Sequence, residues 1–334
     1  MKTLDHDGFI AALLRRLGVV TVLLIVLIIV IGLLEPRFFS RLNQLNVLRN
    51  AAFLILAAYG QMLVMIVGGF DLSVGVVAAL SSIATATVMG AMGGMSCSAD
   101  LSCGWTILLG VSAGLASGVL VGLINGLCVA LGRASAFMIT LGMMTVVGGI
   151  VVYWTNGVPI YGIPESMTAV LGRGAWFRLP IAFWLAMAIG VLLWLVLNHT
   201  RLGLYLYAVG SNIQASRMTG LPTTRTLLLA YMCSGLFAAM AGILMASRIG
   251  SGQAGIGGSL MIQSIAAAVI GGVSLRGGVG KVERVIAGCL LLAIVENSLN
   301  LLKIESKLQA LVMGVILLAA VSLEQLSLKR SHRD

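Results

Sequence analysis

The sequence predicts an all-α, polytopic membrane protein, and three observations carry that prediction. Of 334 residues, 59% are hydrophobic and only 10% are charged, where a soluble domain carries about 25% charged residues. The mean hydropathy is +1.07, and 21 Lys and Arg with 11 Asp and Glu are too few to cover a core of this size with a charged shell. Apolar runs of membrane-spanning length recur from one end of the chain to the other.

Those runs fall near residues 17–34, 51–68, 73–95, 105–131, 136–154, 180–198, 226–247, 260–274, 285–302 and 308–323. They make about ten spans in one domain, 17–326, between a short segment 1–16 and a tail 327–334. The first run follows Arg15 and Arg16 but meets Glu35-Pro36-Arg37 where a leader would carry a small-residue cleavage site, so it reads as a retained span. With the N-terminus cytoplasmic, 13 of the 21 basic residues fall on inside segments, and an even span count puts both termini on that side. The net charge of +10 therefore reads as a set of topology signals. The basic residues stand singly at the ends of apolar runs and form no patch interleaved with aromatics, which excludes a nucleic-acid partner.

The same topology faces Cys97 and Cys103 outward, where an oxidising compartment permits a disulfide and two free thiols are equally allowed. Cys128, Cys233 and Cys289 lie within spans as small packing residues. Gly110, Gly114, Gly118, Gly122 and Gly126 recur every fourth residue, a small-residue stripe that lets two helix backbones approach closely.

The segment Gly68-Gly69-Phe70-Asp71-Leu72-Ser73-Val74-Gly75 interrupts two apolar runs. A carboxylate there needs a partner. Asp71 and Ser73 can cap the following helix, whose first N–H groups lack acceptors, or they can line a polar path. The pattern Gly-Gly-x-x-Leu-x-x-Gly returns at Gly271, Gly272, Leu275 and Gly278, with Ser274 inside it. Glycine-broken segments at corresponding places in two halves point to a substrate path, since broken helices expose backbone only where a cavity is lined; with 42 glycines in the chain, coincidence is the competing reading.

Between residues 198 and 226 the spacing predicts a short helix over 211–219. Ser211 or Asn212 can cap it, Gly220 suits the left-handed position past its end, and Pro222 blocks continuation. It serves as a docking element or as a plain connector. Glu296, Asn297 and Asn300 place three polar side chains on one apolar helix, facing protein or water as interhelical hydrogen bonds or as a path lining.

Two motifs carry no chemistry. Gly250-Ser-Gly252-Gln-Ala-Gly255 matches a dinucleotide fingerprint but follows a span and reads as a flexible outer turn. Gly280-Lys281 ends like a phosphate loop, yet Leu275 and Val282 occupy the positions of the motif's first glycine and its Ser or Thr. Three scattered histidines, His6, His199 and His332, offer neither a metal site nor a triad. No catalytic residue, cofactor or metal is expected, and a membrane-embedded enzyme is disfavoured for want of a nucleophile–base cluster.

The segment 68–75, Thr200-Arg-Leu-Gly-Leu-Tyr-Leu-Tyr-Ala-Val-Gly210-Ser-Asn212, Ser234-Gly235 through Ala246-Ser-Arg248, Ile265 through Leu275, Gly277-Gly278-Val-Gly280 and Asn297-Ser-Leu-Asn300 together resemble the permease family of ribose-type and related ABC importers. The resemblance implies an all-helical subunit of the inner membrane that pairs with an identical or sister permease. It also implies ATP-hydrolysing partners on the cytoplasmic face, a periplasmic sugar-binding protein, and a sugar path along the two-permease interface. Gly210, Ser211, Asn212, Ala215, Arg217 and Gly220 fall on the family's cytoplasmic coupling segment. Departures stand at Met261, Ile262 and Gln263, where the family carries Glu-Leu-Asp, and at Glu296, Arg276 and Lys281. They suggest one half of a heteromeric pair. The rival readings are an ion-coupled secondary transporter, which would lean on Asp71 and Glu296, and an ABC permease for branched-chain amino acids or nucleosides.

Overall fold

The computed structural model describes residues 19–97, 101–132, 135–305, 308–309, 311–315 and 318. The two terminal segments and half of the tenth apolar run lie outside the described residues. The described chain is helical almost throughout. In order come α1 (Val19–Leu34), α2 (Arg41–Ile66), α3 (Val74–Ala91), α4 (Leu101–Leu131), α5 (Ala136–Thr155), α6 (Ile181–His199), α7 (Arg201–Ser211), α8 (Ile213–Met218), α9 (Thr223–Ile249), α10 (Leu260–Ile270) and α11 (Val282–Leu301). Six of these, α2 to α6 and α9, are long and apolar enough to cross a membrane.

The spine is α2, whose residues from Ala51 to Val67 are all buried. Packed around it are α9, α11, α10 and α6. Neighbours cover this part of the helix on every side, which leaves it no face for lipid and puts it at the centre of the bundle. Its first turns, Arg41 to Asn50, are polar, so the apolar run shows only the later part of the helix. Ser40 caps it by accepting from the Asn43 N–H. The short α1 leans on the outer part of α11 through Ile31, Phe38, Val47 and Ile294.

The glycine stripe of α4 is a packing surface. Gly110 lies against Met89, Gly114 against Thr85 and Ile243, Gly118 against Gly235 and Ala239, and Gly122 against the Tyr231 backbone. Helices α3, α4 and α9 are thereby brought to backbone contact. Cys128 on α4 is exposed, Cys233 is half-buried and Cys289 is buried.

Two sequence expectations are corrected. The run 260–274 is not one continuous helix: α10 covers Leu260–Ile270, and Gly271 and Gly272 close it. The residues before it are not a flexible outer turn. Ser251-Gly252 (β4) pairs antiparallel with Ile160-Tyr161 (β1) and is buried, Gly252 lies on Ser82 and Ile83 of α3, and Gly257 lies on Gly75. The chain therefore packs along α3, extended at Ser251-Gly252 and in successive turns over 254–259, with glycine at 252 and 257, where a Cβ would strike the Ser82–Ile83 turn or the Gly75 backbone. A hairpin of Ala175-Trp176 (β2) and Leu179-Pro180 (β3) turns at Phe177 and Arg178, both at positive φ, as a two-residue hairpin turn requires.

The close approach of α4 and α9 sets a stability test. Gly235→Val places two methyl groups into the Gly118 backbone and is expected to cost about 1–3 kcal/mol, read as a lower melting temperature in detergent. Gly142→Val on α5, where a Cβ meets nothing within 4 Å, is expected to leave it unchanged.

Candidate functional site

Helix α2 ends in a Schellman motif. Gly68 takes φ +82°, its N–H donates to Met65 O at 2.9 Å, and the Gly69 N–H donates to Val64 O at 2.9 Å. The chain then turns into α3 around Asp71, which is 1% exposed. One carboxylate oxygen accepts from the Ser73 N–H at 2.9 Å and the Ser73 hydroxyl at 2.6 Å; the other accepts from the Ser234 hydroxyl at 2.7 Å. Asn125 Nδ2 donates to Ser73 Oγ at 2.9 Å. The neighbouring Phe70 carbonyl accepts from Thr140 at 3.2 Å and from the Tyr231 hydroxyl at 3.3 Å. Side chains from α4, α5 and α9 thus converge on this break. Asp71 acts as a cap toward the Ser73 N–H, whereas the Ser73 side chain makes no cap bond and is spent on Asp71 and Asn125.

The second break repeats the device one residue out of step. Here the left-handed residue is Gly272, φ +76°; its N–H donates to Val269 O at 2.8 Å and the Val273 N–H to Ala268 O at 2.9 Å. The structural counterpart of Gly68 is therefore Gly272, not the Gly271 that an identity-matched alignment pairs with it. After it, Ser274 organises a tight loop, accepting at Oγ from the Arg276 N–H at 3.1 Å while its own N–H donates to Val279 O at 3.0 Å.

The two breaks meet at the entry to the 211–220 segment. The Gly278 N–H donates to Ile66 O at 2.8 Å, and Gly210 lies so close to that carbonyl that a Cβ there would overlap it. A Cβ on Gly277, at φ +89°, would stand 2.7 Å from Gly210 O. The Tyr207 hydroxyl donates to Gly280 O at 2.7 Å; burial and the nearby Glu283 push its pKa up, which keeps it a donor. Helix α7, absent from the sequence reading, carries this contact.

From this knot α8 projects. Asn212 caps it, accepting from the Ala215 N–H at 2.9 Å, and Gly220 takes φ +77°. Of α8 only Ser216 is buried, and Met218 is 89% exposed. An apolar side chain standing free on a capped surface helix was not singled out by its sequence pattern. Arg217 Nε donates to Thr223 Oγ1 at 3.3 Å, tying α8 to the start of α9.

A cavity of about 820 Å³ opens beside the knot. It gathers Gly68 and Gly69 of the first break, Gly210, Ser211, Asn212 and Arg217 of the α7–α8 corner, Tyr231 of α9 and Arg276 of the second loop. Glu296, Asn297 and Asn300 lie elsewhere, on the outer part of α11. Asn297 and Asn43 exchange amide bonds at 2.8 and 2.9 Å, Gln263 Nε2 approaches Glu296 at 3.4 Å, and Asn300 Nδ2 donates to the Glu296 carbonyl at 3.0 Å. Asn297 is a helix–helix contact; Glu296 and Asn300 leave polar atoms toward the outer surface of the bundle. Cys97 and Cys103 are joined as a disulfide. Among the described residues no group of three or more His, Cys, Asp or Glu could hold a metal.

Comparison with known proteins places this geometry. The family described as branched-chain amino acid transport system / permease component matches residues 43–321. The ribose import permease protein of Escherichia coli K12 is 35% identical over 301 residues, 89% of this chain and 90% of its own. That of Bacillus subtilis strain 168 is 36% identical over 325 residues, 97% and 96% of the two chains. The L-arabinose transport system permease protein of Escherichia coli K12 is 37% identical over 298 residues, 89% and 86% of the two chains. No solved structure matches the chain. With the match running through both helix breaks and the exposed helix between them, the chain belongs to this permease-component family, among the permeases of ribose-type carbohydrate ABC importers.

Proposed function

We propose that the chain forms the translocation path of an inner-membrane importer for a monosaccharide, delivered by a periplasmic binding protein and driven by ATP hydrolysis in partner subunits. The observation that carries this reading is the likeness to ribose and arabinose permeases along about nine tenths of the chain. In this reading the chain crosses the membrane about ten times with both termini cytoplasmic, and pairs with a second permease, identical or sister. Helix α8, with Met218 and Arg217 exposed on it, is the face that the ATPase engages. The segments 68–73 and 271–274, with Glu296 and Asn300, line or shape the path. Chemistry stays in the partners, and this chain supplies alternating access to a cavity.

Ion coupling is the weaker reading. A relay needs carboxylates free to exchange protons along the path, and Asp71 already accepts three hydrogen bonds from serine groups in a buried site. That leaves Glu296 alone.

The knot gives the coupling role a specific test. Gly210→Ala forces α7 off the Ile66 carbonyl and is expected to lower ATP-driven sugar uptake by about tenfold or more, with membrane insertion intact; Tyr207→Phe, which removes one hydrogen bond, is expected to lower it less. Normal uptake by Gly210→Ala would remove the knot from the coupling route. In proteoliposomes holding the complete importer, uptake is expected to require ATP and to persist when the proton and sodium gradients are collapsed. Uptake that follows a gradient without ATP would replace the importer by the ion-coupled transporter.

A further inference from the structure

The hairpin over residues 175–180 carries the wrong residues for its turn. Ala175 pairs with Pro180 and Trp176 with Leu179, and the two residues between them, Phe177 and Arg178, take φ +46° and +65°. A two-residue turn with both central residues left-handed suits Asn-Gly, because a larger side chain crowds its own backbone there. Strain of that kind persists only where the surroundings hold it in place. The fold itself offers little hold: Trp176 is 61% exposed, Phe177 is 75% exposed, and Arg178 is exposed beside them.

The exposed rings form a connected row. Trp176 stands edge-on to Phe177 with centroids 4.8 Å apart and to Trp184 of α6 at 5.9 Å, and the Trp184 indole N–H donates to the Trp176 carbonyl at 3.0 Å. Trp184 in turn heads an exposed stripe on α6 that continues through Ala188, Val191 and Leu195, a spacing of three and four that keeps them on one face. Lipid suits that face. With 19 residues, α6 spans about 28 Å, close to the hydrocarbon thickness of about 30 Å. Its first residue, Ile181, therefore lies where hydrocarbon meets headgroups, and the hairpin directly before it lies among the headgroups. Amphipathic Trp rings collect at that depth, and a guanidinium grips phosphate oxygens through two parallel N–H bonds.

We infer that the 175–180 hairpin is an interfacial anchor: Trp176 and Phe177 seat in the headgroup layer of the outer leaflet, and Arg178 holds a phospholipid phosphate there. Continuity with the apolar stripe of α6 selects lipid as the occupant, and the charge of Arg178 selects the phosphate. The anchor fixes more than itself. Just before it, the Arg173 carbonyl accepts from Arg49 of α2, and Gly172 lies against the Ser247 and Arg248 backbone of α9. The segment leading into the hairpin is thus held by the bundle on one side and by the bilayer on the other. That the leaflet is the outer one rests on the importer reading, in which the far end of α6 leads to the cytoplasmic α8; the anchor itself does not.

The test uses the full chain in phosphatidylcholine nanodiscs, with Phe177→Cys labelled by bimane in a Cys128→Ser, Cys233→Ser background that keeps the Cys97–Cys103 disulfide. Lipids brominated high on the acyl chain are expected to quench the label about twofold or more. Aqueous iodide is expected to quench it at least about threefold less than the same label at Met218→Cys, which stands free on α8. Iodide quenching equal to that at 218, with none from brominated lipid, would put the hairpin in water. Protection from both quenchers would put a protein over it. Either result overturns the anchor. A second measurement changes sign between the two cases. Joining Phe177→Asn to Arg178→Gly relieves the turn, so a hairpin standing in water would be stabilised by the exchange, whereas an anchored one loses its hold on the bilayer. The double variant is expected to lower the melting temperature in nanodiscs by a few degrees, and a rise would overturn the anchor. Neither measurement involves ATP or sugar, so the importer reading stands or falls separately.

Discussion

The end of a helix buried on all sides is the constraint on which this structure turns. Four carbonyls at the C-terminus of α2 have no partner inside the helix, and no water reaches them as it would at a protein surface. The chain satisfies them one by one. Leu63 accepts from the Val67 N–H, Val64 from Gly69, Met65 from Gly68, and Ile66 from Gly278. The last of these comes from a loop more than two hundred residues further along the chain. Bringing it in requires left-handed backbone at Gly277 and Gly278 and bare backbone at Gly210. A local requirement of one helix end thus fixes where the second half of the molecule meets the first.

Asp71 answers a related difficulty a few residues later. A charged group in a buried break is tolerated only where donors surround it, and here the donors come from two places: Ser73 beside it in sequence and Ser234 on α9. Ser73 in turn receives Asn125 of α4. The carboxylate therefore works as a rivet between helices that otherwise pack closely along the glycine face of α4. Such a rivet holds the break in one shape against α4 and α9.

Much of this was legible in the sequence, for physical reasons. The glycine stripe of α4 announces close packing because a spacing of four puts its glycines on one helix face. The α8 helix is announced by Asn212, Gly220 and Pro222, each of which has a local role. What failed to show depended on distant partners. The early start of α2 is hidden because its first three turns are polar and stay with Arg248, Asn297 and the 173 carbonyl. The stretch 251–259 looks like a free surface turn until α3 is laid against it. The one-residue offset between Gly68 and Gly272 is invisible to identity matching, because both breaks carry two glycines and only backbone geometry says which of them turns left-handed.

The arrangement also separates the two polar features by task. The row on α11 is satisfied amide to amide at Asn43 and Asn297 and opens outward only at Glu296 and Asn300. The cavity beside the knot is lined by the glycines of the break and the corner together with Arg217, Tyr231 and Arg276. Between them runs α2, a 26-residue helix buried along most of its length, and close-packed interiors transmit displacement rather than absorb it. A movement of α8 reaches Gly210 first, and there the Ile66 carbonyl leaves it no slack. It must either carry the end of α2 along or break the Gly278 bond. In both cases the cavity wall at Gly68 and Gly69 moves with α8.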